Sequence, residues 1–197
     1  MIKQTLVLCL LGILAFTVGC ETPSPGLEMK EMKFAIDSSL IDQRYSNPEY
    51  EFSFSPPIHF APFSSPEFDV FILDAEKLQS GTNPVRSRFL GVFGDSLTRG
   101  MLIVSEILEK DSATITGAEY DEVLRANTDS TQVTAHKFLK HGKTVYLFVT
   151  RDQTFFSYLL FFESGKGKLV QLNYQIPADV NISFSGAIES SIGTLKF

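Results

Sequence analysis

Four consecutive runs between Thr131 and Ile176 constrain this chain most. TQVTAHKFL, TVYLFVT, TFFSYLLFF and KLVQLNYQI are rich in β-branched and aromatic residues, and only KHGK, RDQ and ESGKG separate them. Such runs read as strands, and links this short permit antiparallel neighbours but no crossover helix. The segment therefore predicts a four-stranded antiparallel meander. In its third run Phe155, Leu159 and Phe161 fall on one side and Phe156, Tyr158, Leu160 and Phe162 on the other, so both faces need cover. In the fourth, Val170, Leu172, Tyr174 and Ile176 alternate with Gln171, Asn173 and Gln175, which predicts one wet face.

Two helices can supply that cover. Thr116 and Glu119 have the spacing of a capping box ahead of Tyr120, Val123 and Leu124. From about Val180 to Leu195, Phe184, Ile188, Ile192 and Leu195 recur at helical spacing, with Asp179 or Ser183 available as N-cap. Upstream, YEFSFSPP and FDVFILDA read as strands, the first halted by prolines that cannot donate to a ladder. The expected fold is α+β: a mostly antiparallel sheet, with the meander toward the C-terminus, covered by helices.

The same elements carry a resemblance. NPEYEFSFSPP near the start, a capped helix in the middle, an antiparallel meander and the closing SGAIESSIGTLKF together look like the PsbP-like family over most of residues 45 to 197. The resemblance implies an antiparallel sheet between helices, and a small exported or lipid-anchored domain that assists or binds other components without catalysis.

The N-terminus reads as an address. Lys3, an apolar run from Leu6 to Val18 and Gly19 directly before Cys20 form a secretory signal. The apolar run falls short of the ~20 residues that span a bilayer. Thr17-Val18-Gly19-Cys20 resembles the bacterial lipobox, apart from Thr17 in place of an aliphatic residue, which implies diacylglycerol on Cys20; the alternative is an ordinary cleavage site. The expected organisation is a signal at 1–19, a lipidated tether at 20–33 and one globular domain at 34–197. Glu21 stands where an aspartate commonly retains such proteins at the inner membrane, so the periplasmic face of the outer membrane is expected in a diderm bacterium. Cys9 and Cys20 are the two cysteines, so no disulfide is expected in the mature chain.

One string points elsewhere. Gly94-Asp95-Ser96-Leu97 spells the signature of the GDSL, or SGNH, hydrolases, in which the serine attacks an ester. A serine needs a base and oxyanion donors. That family draws them from an Asp-x-x-His and a Gly-x-Asn-Asp segment. Here His136 and His141 are preceded at three residues by Val133 and Phe138, and no Asn-Asp pair occurs. The competing reading makes FLGVFG and GMLIVSEIL two strands joined by a DSLTR turn.

The remaining signals are local. Alternate turns of a meander share one end, so Lys140, His141, Lys143, Lys166 and Lys168 should form a basic rim able to meet anionic lipid or an acidic envelope partner; the plainer reading is solvated hairpin tips. His136 and His141 point to opposite faces, and His59 stands alone, so no shared metal is expected. Glu106, Glu109 and Asp111 read as a solvated strand end. There is no phosphate loop, dinucleotide fingerprint or metal-ligand cluster, so no cofactor is expected. A formal charge of -6 disfavours nucleic acid. Eighteen phenylalanines exceed what one core obviously needs, and Phe60, Phe63 and Phe68, within the Pro-rich FSFSPPIHFAPFSSPEF, are candidates to line an apolar pocket or partner groove. The functional expectation is a lipid-anchored, non-catalytic binding or accessory module. Its rivals are a serine esterase using Ser96 and a carrier of an apolar ligand between the Pro-rich segment and the sheet.

Overall fold

The computed structural model describes residues 29–79, 85–109, 114–127 and 133–197. Cys20 and Asp111 lie outside the described residues. Among the described residues a 3-10 turn (Ser38–Leu40) precedes a hairpin, β1 (Tyr45–Asn47) and β2 (Phe52–Phe54), and the chain then passes through the short β3 (Ala61–Pro62) into helix α1 (Ser65–Gln79). Strands β4 (Val85–Gly94) and β5 (Met101–Glu109) precede helix α2 (Gly117–Asn127). The meander follows as β6 (Val133–Lys140), β7 (Lys143–Arg151), β8 (Phe155–Glu163) and β9 (Leu169–Pro177), and α3 (Asn181–Gly193) closes the fold.

The main sheet has seven strands in the order β3-β4-β5-β9-β8-β7-β6, with every neighbouring pair antiparallel. The four-stranded meander is present as expected, joined to the β4–β5 hairpin through β5 and β9. The β6–β7 link is a two-residue turn in which His141 and Gly142 both have positive φ, at 50° and 75°. That is the backbone sign a tight hairpin of this handedness requires.

Each face of the sheet has its own core. On one, Leu102, Val104, Leu160, Phe162, Leu172 and Tyr174 pack beneath α3 and the β1–β2 hairpin, with Ile188, Ile192 and Leu195 from the C-terminal segment. On the other, Tyr120 of α2 packs edge-on against Phe161, their ring centroids 5.0 Å apart, beside Ile107, Tyr146 and Phe148. The α2 capping box forms as its spacing predicts: Thr116 Oγ1 donates to Glu119 Oε2 at 2.8 Å, and Glu119 N–H donates back to Thr116 Oγ1 at 3.3 Å.

Four expectations are corrected. FDVFILDA is helical, within α1. Ser64 caps the helix through its backbone N–H and hydroxyl, both donating to Glu67 Oε2 at 2.8 and 2.7 Å, and Phe71 anchors it on Phe89 at 5.3 Å between ring centroids. The polar face of β9 is not wet throughout: Tyr120 covers Gln171 and donates its hydroxyl to Gln171 Oε1 at 2.7 Å, while Asn173 and Gln175 are half-buried. The N-cap of α3 is Val180, without a side-chain cap bond. Glu106 is no solvated strand end: it shares the parity of Leu102 and Val104 along β5, faces the same core, and is only 2% exposed.

At the far edge of the sheet, Met32 N–H donates to Leu139 O at 2.9 Å and Leu139 N–H to Lys30 O at 3.0 Å, so the chain is fastened to β6 before Phe34.

Candidate functional site

The opposite edge holds the recess. After β2 the Pro-rich segment crosses the end of the sheet, held on one side by Asp42 N–H donating to Pro56 O at 2.8 Å and Ile58 N–H donating to Leu40 O at 2.9 Å. On the other side Phe63 N–H donates to Val92 O at 2.9 Å, and β3 pairs with Phe93 and Gly94. Phe60 is buried, its ring 5.8 Å from that of Phe184, and it anchors the segment to α3. The arch is thus pinned at both ends, and a cleft of about 580 Å³ remains between it, the start of α1 and β4.

Phe60, Phe63 and Phe68 line this cleft, as their place in the sequence suggested; Leu90, Val92 and Phe93 form the β4 wall. Gly91 opens the wall further. It lies where the β4–β5 register shifts between Phe89 and Gly91, and a Cβ there would meet only the Phe93 ring at 3.5 Å and the Tyr45 ring system at 3.7 Å. Tyr45 is held against Phe54 and Phe93, at 5.5 and 5.4 Å between centroids, while its hydroxyl reaches Leu90 O at 3.4 Å. Burial pushes that hydroxyl's pKa up, so it enters the cleft as a neutral group. Asp42, Gln43, Arg44 and Ser65 supply the other polar boundary. A concave, mainly apolar recess with few polar groups is suited to binding; the β4 wall lies some thirty residues from the Pro-rich arch, and the strand signal of FLGVFG does not by itself tie it to that arch.

Ser96 lies in the β4–β5 hairpin turn. Asp95, buried at 4% exposure, accepts from Leu97 N–H at 2.9 Å and Thr98 Oγ1 at 2.7 Å, while Arg99 N–H returns to Asp95 O at 2.8 Å. Asp95 therefore performs turn chemistry, and Ser96 is carried exposed on its outside. Among the described residues no histidine hydrogen-bonds the Ser96 hydroxyl, and the strands on either side of it are antiparallel.

The five residues of the expected basic rim do come to one end of the sheet, but most of their cationic groups turn inward. Lys140 is buried, donates to Gly193 O at 3.0 Å and lies over the Phe34 ring; burial pushes its pKa down. Lys143 donates to Ser164 O at 2.9 Å and covers Phe197. Lys168 stands 4.6 Å from the Tyr50 ring centroid, and Lys166 pairs with Glu51 at 2.6 Å. His141 remains exposed at the turn. His59 is also exposed, on a turn residue with φ 71°, and His136 is exposed on β6. Among the described residues no group of three His, Cys, Asp or Glu converges in a way that could hold a metal ion.

No family model matches this chain, and no curated protein matches it. Among solved structures it is similar to cyanobacterial PsbP (CyanoP) from Synechocystis sp. PCC 6803, solved in solution, with a TM-score of 0.46 and 16% identity over 78% of this chain and 91% of that one.

Proposed function

We propose that this protein is a non-catalytic binding module, lipid-anchored in the cell envelope through Cys20, and that the cleft between the Pro-rich arch and β4 is its binding element. The observation that carries the reading is the cleft of about 580 Å³, within the roughly 300–1,000 Å³ usual for small-ligand sites. A domain that buries most of its aromatic residues in two cores, yet leaves Phe63 and Phe68 lining an open recess, keeps apolar surface for a ligand. The anchor rests on the Thr17-to-Cys20 string and on the apolar run before it. In a diderm bacterium Glu21 favours the periplasmic face of the outer membrane.

Two experiments test the two halves. Labelled palmitate should enter the wild-type chain and be absent from Cys20→Ser, which should also leave the membrane fraction; retained label sinks the anchor. Native mass spectrometry of the extracted protein should detect a bound small molecule that Gly91→Phe, which fills the cleft, abolishes without lowering the melting temperature. A ligand retained in that variant sinks the cleft as the binding element.

A further inference from the structure

The direction in which the chain enters the sheet bears on which end meets the bilayer. Glu31 bridges Leu139 in parallel, so residues 30–32 run the same way as β6, and the chain arrives from the end of the sheet where β6 starts, at Val133. That end also holds the β7–β8 turn, the exit of β9 and the β4–β5 hairpin, because Val133 pairs with Thr150, Phe155 with Pro177 and Met101 with Gln175. Cys20 precedes Met29 by nine residues, which span at most about 32 Å, whereas β6 extends about 20 Å from Leu139 back to Val133. The tether is therefore long enough to reach this end without reversing direction. At the same end Leu97 is 84% exposed, more than any other large apolar side chain among the described residues, and Ser96 and Arg99 beside it are exposed too. The turn that presents Leu97 is braced: Asp95 accepts from Leu97 N–H and the Thr98 hydroxyl, and a Cβ at Gly100 would lie 2.8 Å from the Phe60 ring. The opposite end offers no such group, since Lys140, Lys143 and Lys168 lie over rings and Lys166 pairs with Glu51.

We propose that the anchored domain rests on the bilayer through the hairpin end of its sheet, with Leu97 entering the boundary between headgroups and acyl chains and Arg99 beside it at the level of the phosphates. This rests on the acylation of Cys20 proposed above and adds which surface of the domain meets the lipid. The tether holds this end near the bilayer, so a side chain that the fold leaves in water gains by entering the apolar layer. Arg99 can follow it, because a long cationic side chain keeps its charge among the headgroups while its stem lies along apolar surface. Asp152 and Asp179 are exposed at the same end and offset Arg99 and Arg151. The contact therefore depends on the burial of Leu97 and not on anionic lipid, unlike a contact made by a basic rim. The Pro-rich arch adjoins the same hairpin through Phe60, so the cleft stands beside the contact.

The test uses the full chain, expressed with labelled palmitate, purified from membranes and reconstituted in phosphatidylcholine vesicles. Cys9 leaves with the signal and Cys20 is acylated, so a cysteine introduced at the surface is open to a thiol-reactive, environment-sensitive fluorophore. The fluorophore is placed in turn on Leu97→Cys, Ser96→Cys and Lys166→Cys, all at exposed positions. Emission from positions 96 and 97 should shift to the blue and be quenched by phosphatidylcholine carrying a nitroxide on its acyl chain, and emission from position 166 should do neither. Adding Leu97→Asp to Ser96→Cys should abolish the quenching, and replacing part of the lipid with phosphatidylglycerol should leave it unchanged. Quenching at position 166 and not at 96 or 97 overturns the proposal in favour of the opposite end. Quenching that survives Leu97→Asp, or that appears only with phosphatidylglycerol, overturns the part assigned to Leu97. A chain that carries palmitate but shows no quenching at any of the three positions overturns the orientation and leaves the anchor standing; a chain without palmitate overturns both.

Discussion

Tyr50 donates its phenolic hydrogen to Glu106 Oε2 at 2.7 Å, joining the tip of the β1–β2 hairpin to the middle of the sheet across 56 positions. Arg88 Nε donates to the same oxygen at 2.7 Å from the neighbouring strand, and Lys168 approaches Oε1 at 3.9 Å while covering the Tyr50 ring. The carboxylate is thus surrounded by donors from β4, the hairpin and the β8–β9 turn, so a polar group only 2% exposed has partners inside the core. Burial, then the Glu106 acceptor, push the Tyr50 hydroxyl's pKa upward, so this proton stays in place at any physiological pH.

Removing the carboxylate should cost more than removing the hydroxyl. Glu106→Ala strands a buried donor on Tyr50 and is expected to cost about 2–3 kcal/mol; Tyr50→Phe leaves Glu106 with Arg88 and should cost about 1 kcal/mol. Arg88, whose side chain is half exposed, recovers water in Glu106→Ala and adds little. Urea denaturation of both single variants and the double variant checks this, with a coupling energy above about 0.5 kcal/mol expected.

The hairpin GDSLTRG should respond at the aspartate and not at the serine. Asp95 is buried and satisfies two donors, so Asp95→Ala is expected to cost about 1–2 kcal/mol. Ser96 is exposed on the turn, and Ser96→Ala should stay within about 0.5 kcal/mol of the parent. Nitrophenyl acetate turnover measured on the same two proteins adds a chemical check. A rate that depends on Ser96 would restore the esterase reading.

How far these features can be read from the sequence depends on how local their cause is. The meander is written in period-two alternation and short links, both properties of adjacent residues. Helix α1 reads as a strand in sequence because Val70 and Leu73 are apolar yet exposed, which blurs its helical period into a strand-like run. Its real signal was Ser64 with Glu67, the same box that identified α2. The burial of Glu106 was implied by its parity with Leu102 and Val104, but charge argued for solvent, and its partner Tyr50 is distant in sequence. The cleft was legible by half: Phe60, Phe63 and Phe68 drew notice as an aromatic surplus, while the facing wall depends on which strand pairs with β3.

The lysines at the meander's turn end should separate into two kinds. Lys140 is buried against Phe34 and Gly193 O, so Lys140→Ala removes a hydrogen bond together with packed methylenes and is expected to cost about 1–2 kcal/mol. Lys166 forms a surface pair with Glu51, both side chains about half exposed, and Lys166→Ala should cost well under 1 kcal/mol. Thermal melts distinguish them. Any test of anionic-vesicle binding at this end therefore belongs on Lys166 first, since its replacement leaves the fold unperturbed.

The capping boxes should give the protein an acid-sensitive increment of stability. Hydrogen bonds from the hydroxyl and backbone N–H of Ser64 hold the Glu67 carboxyl below its ordinary range, and the backbone N–H and hydroxyl of Thr116 do the same for Glu119. A carboxylate whose pKa is depressed in the folded state contributes its stability in full above the unfolded value, about 4.3, and loses it as pH falls through the lower folded value. Melting temperatures of wild type, Glu67→Ala and Glu119→Ala should therefore differ most at pH 7 and converge as the pH falls from about 5 to below the folded values. Both carboxylates are fully exposed, so salt should narrow the gap at neutral pH as well. A gap that widens on acidification would mean that these glutamates act by some route other than accepting hydrogen bonds at their helix starts.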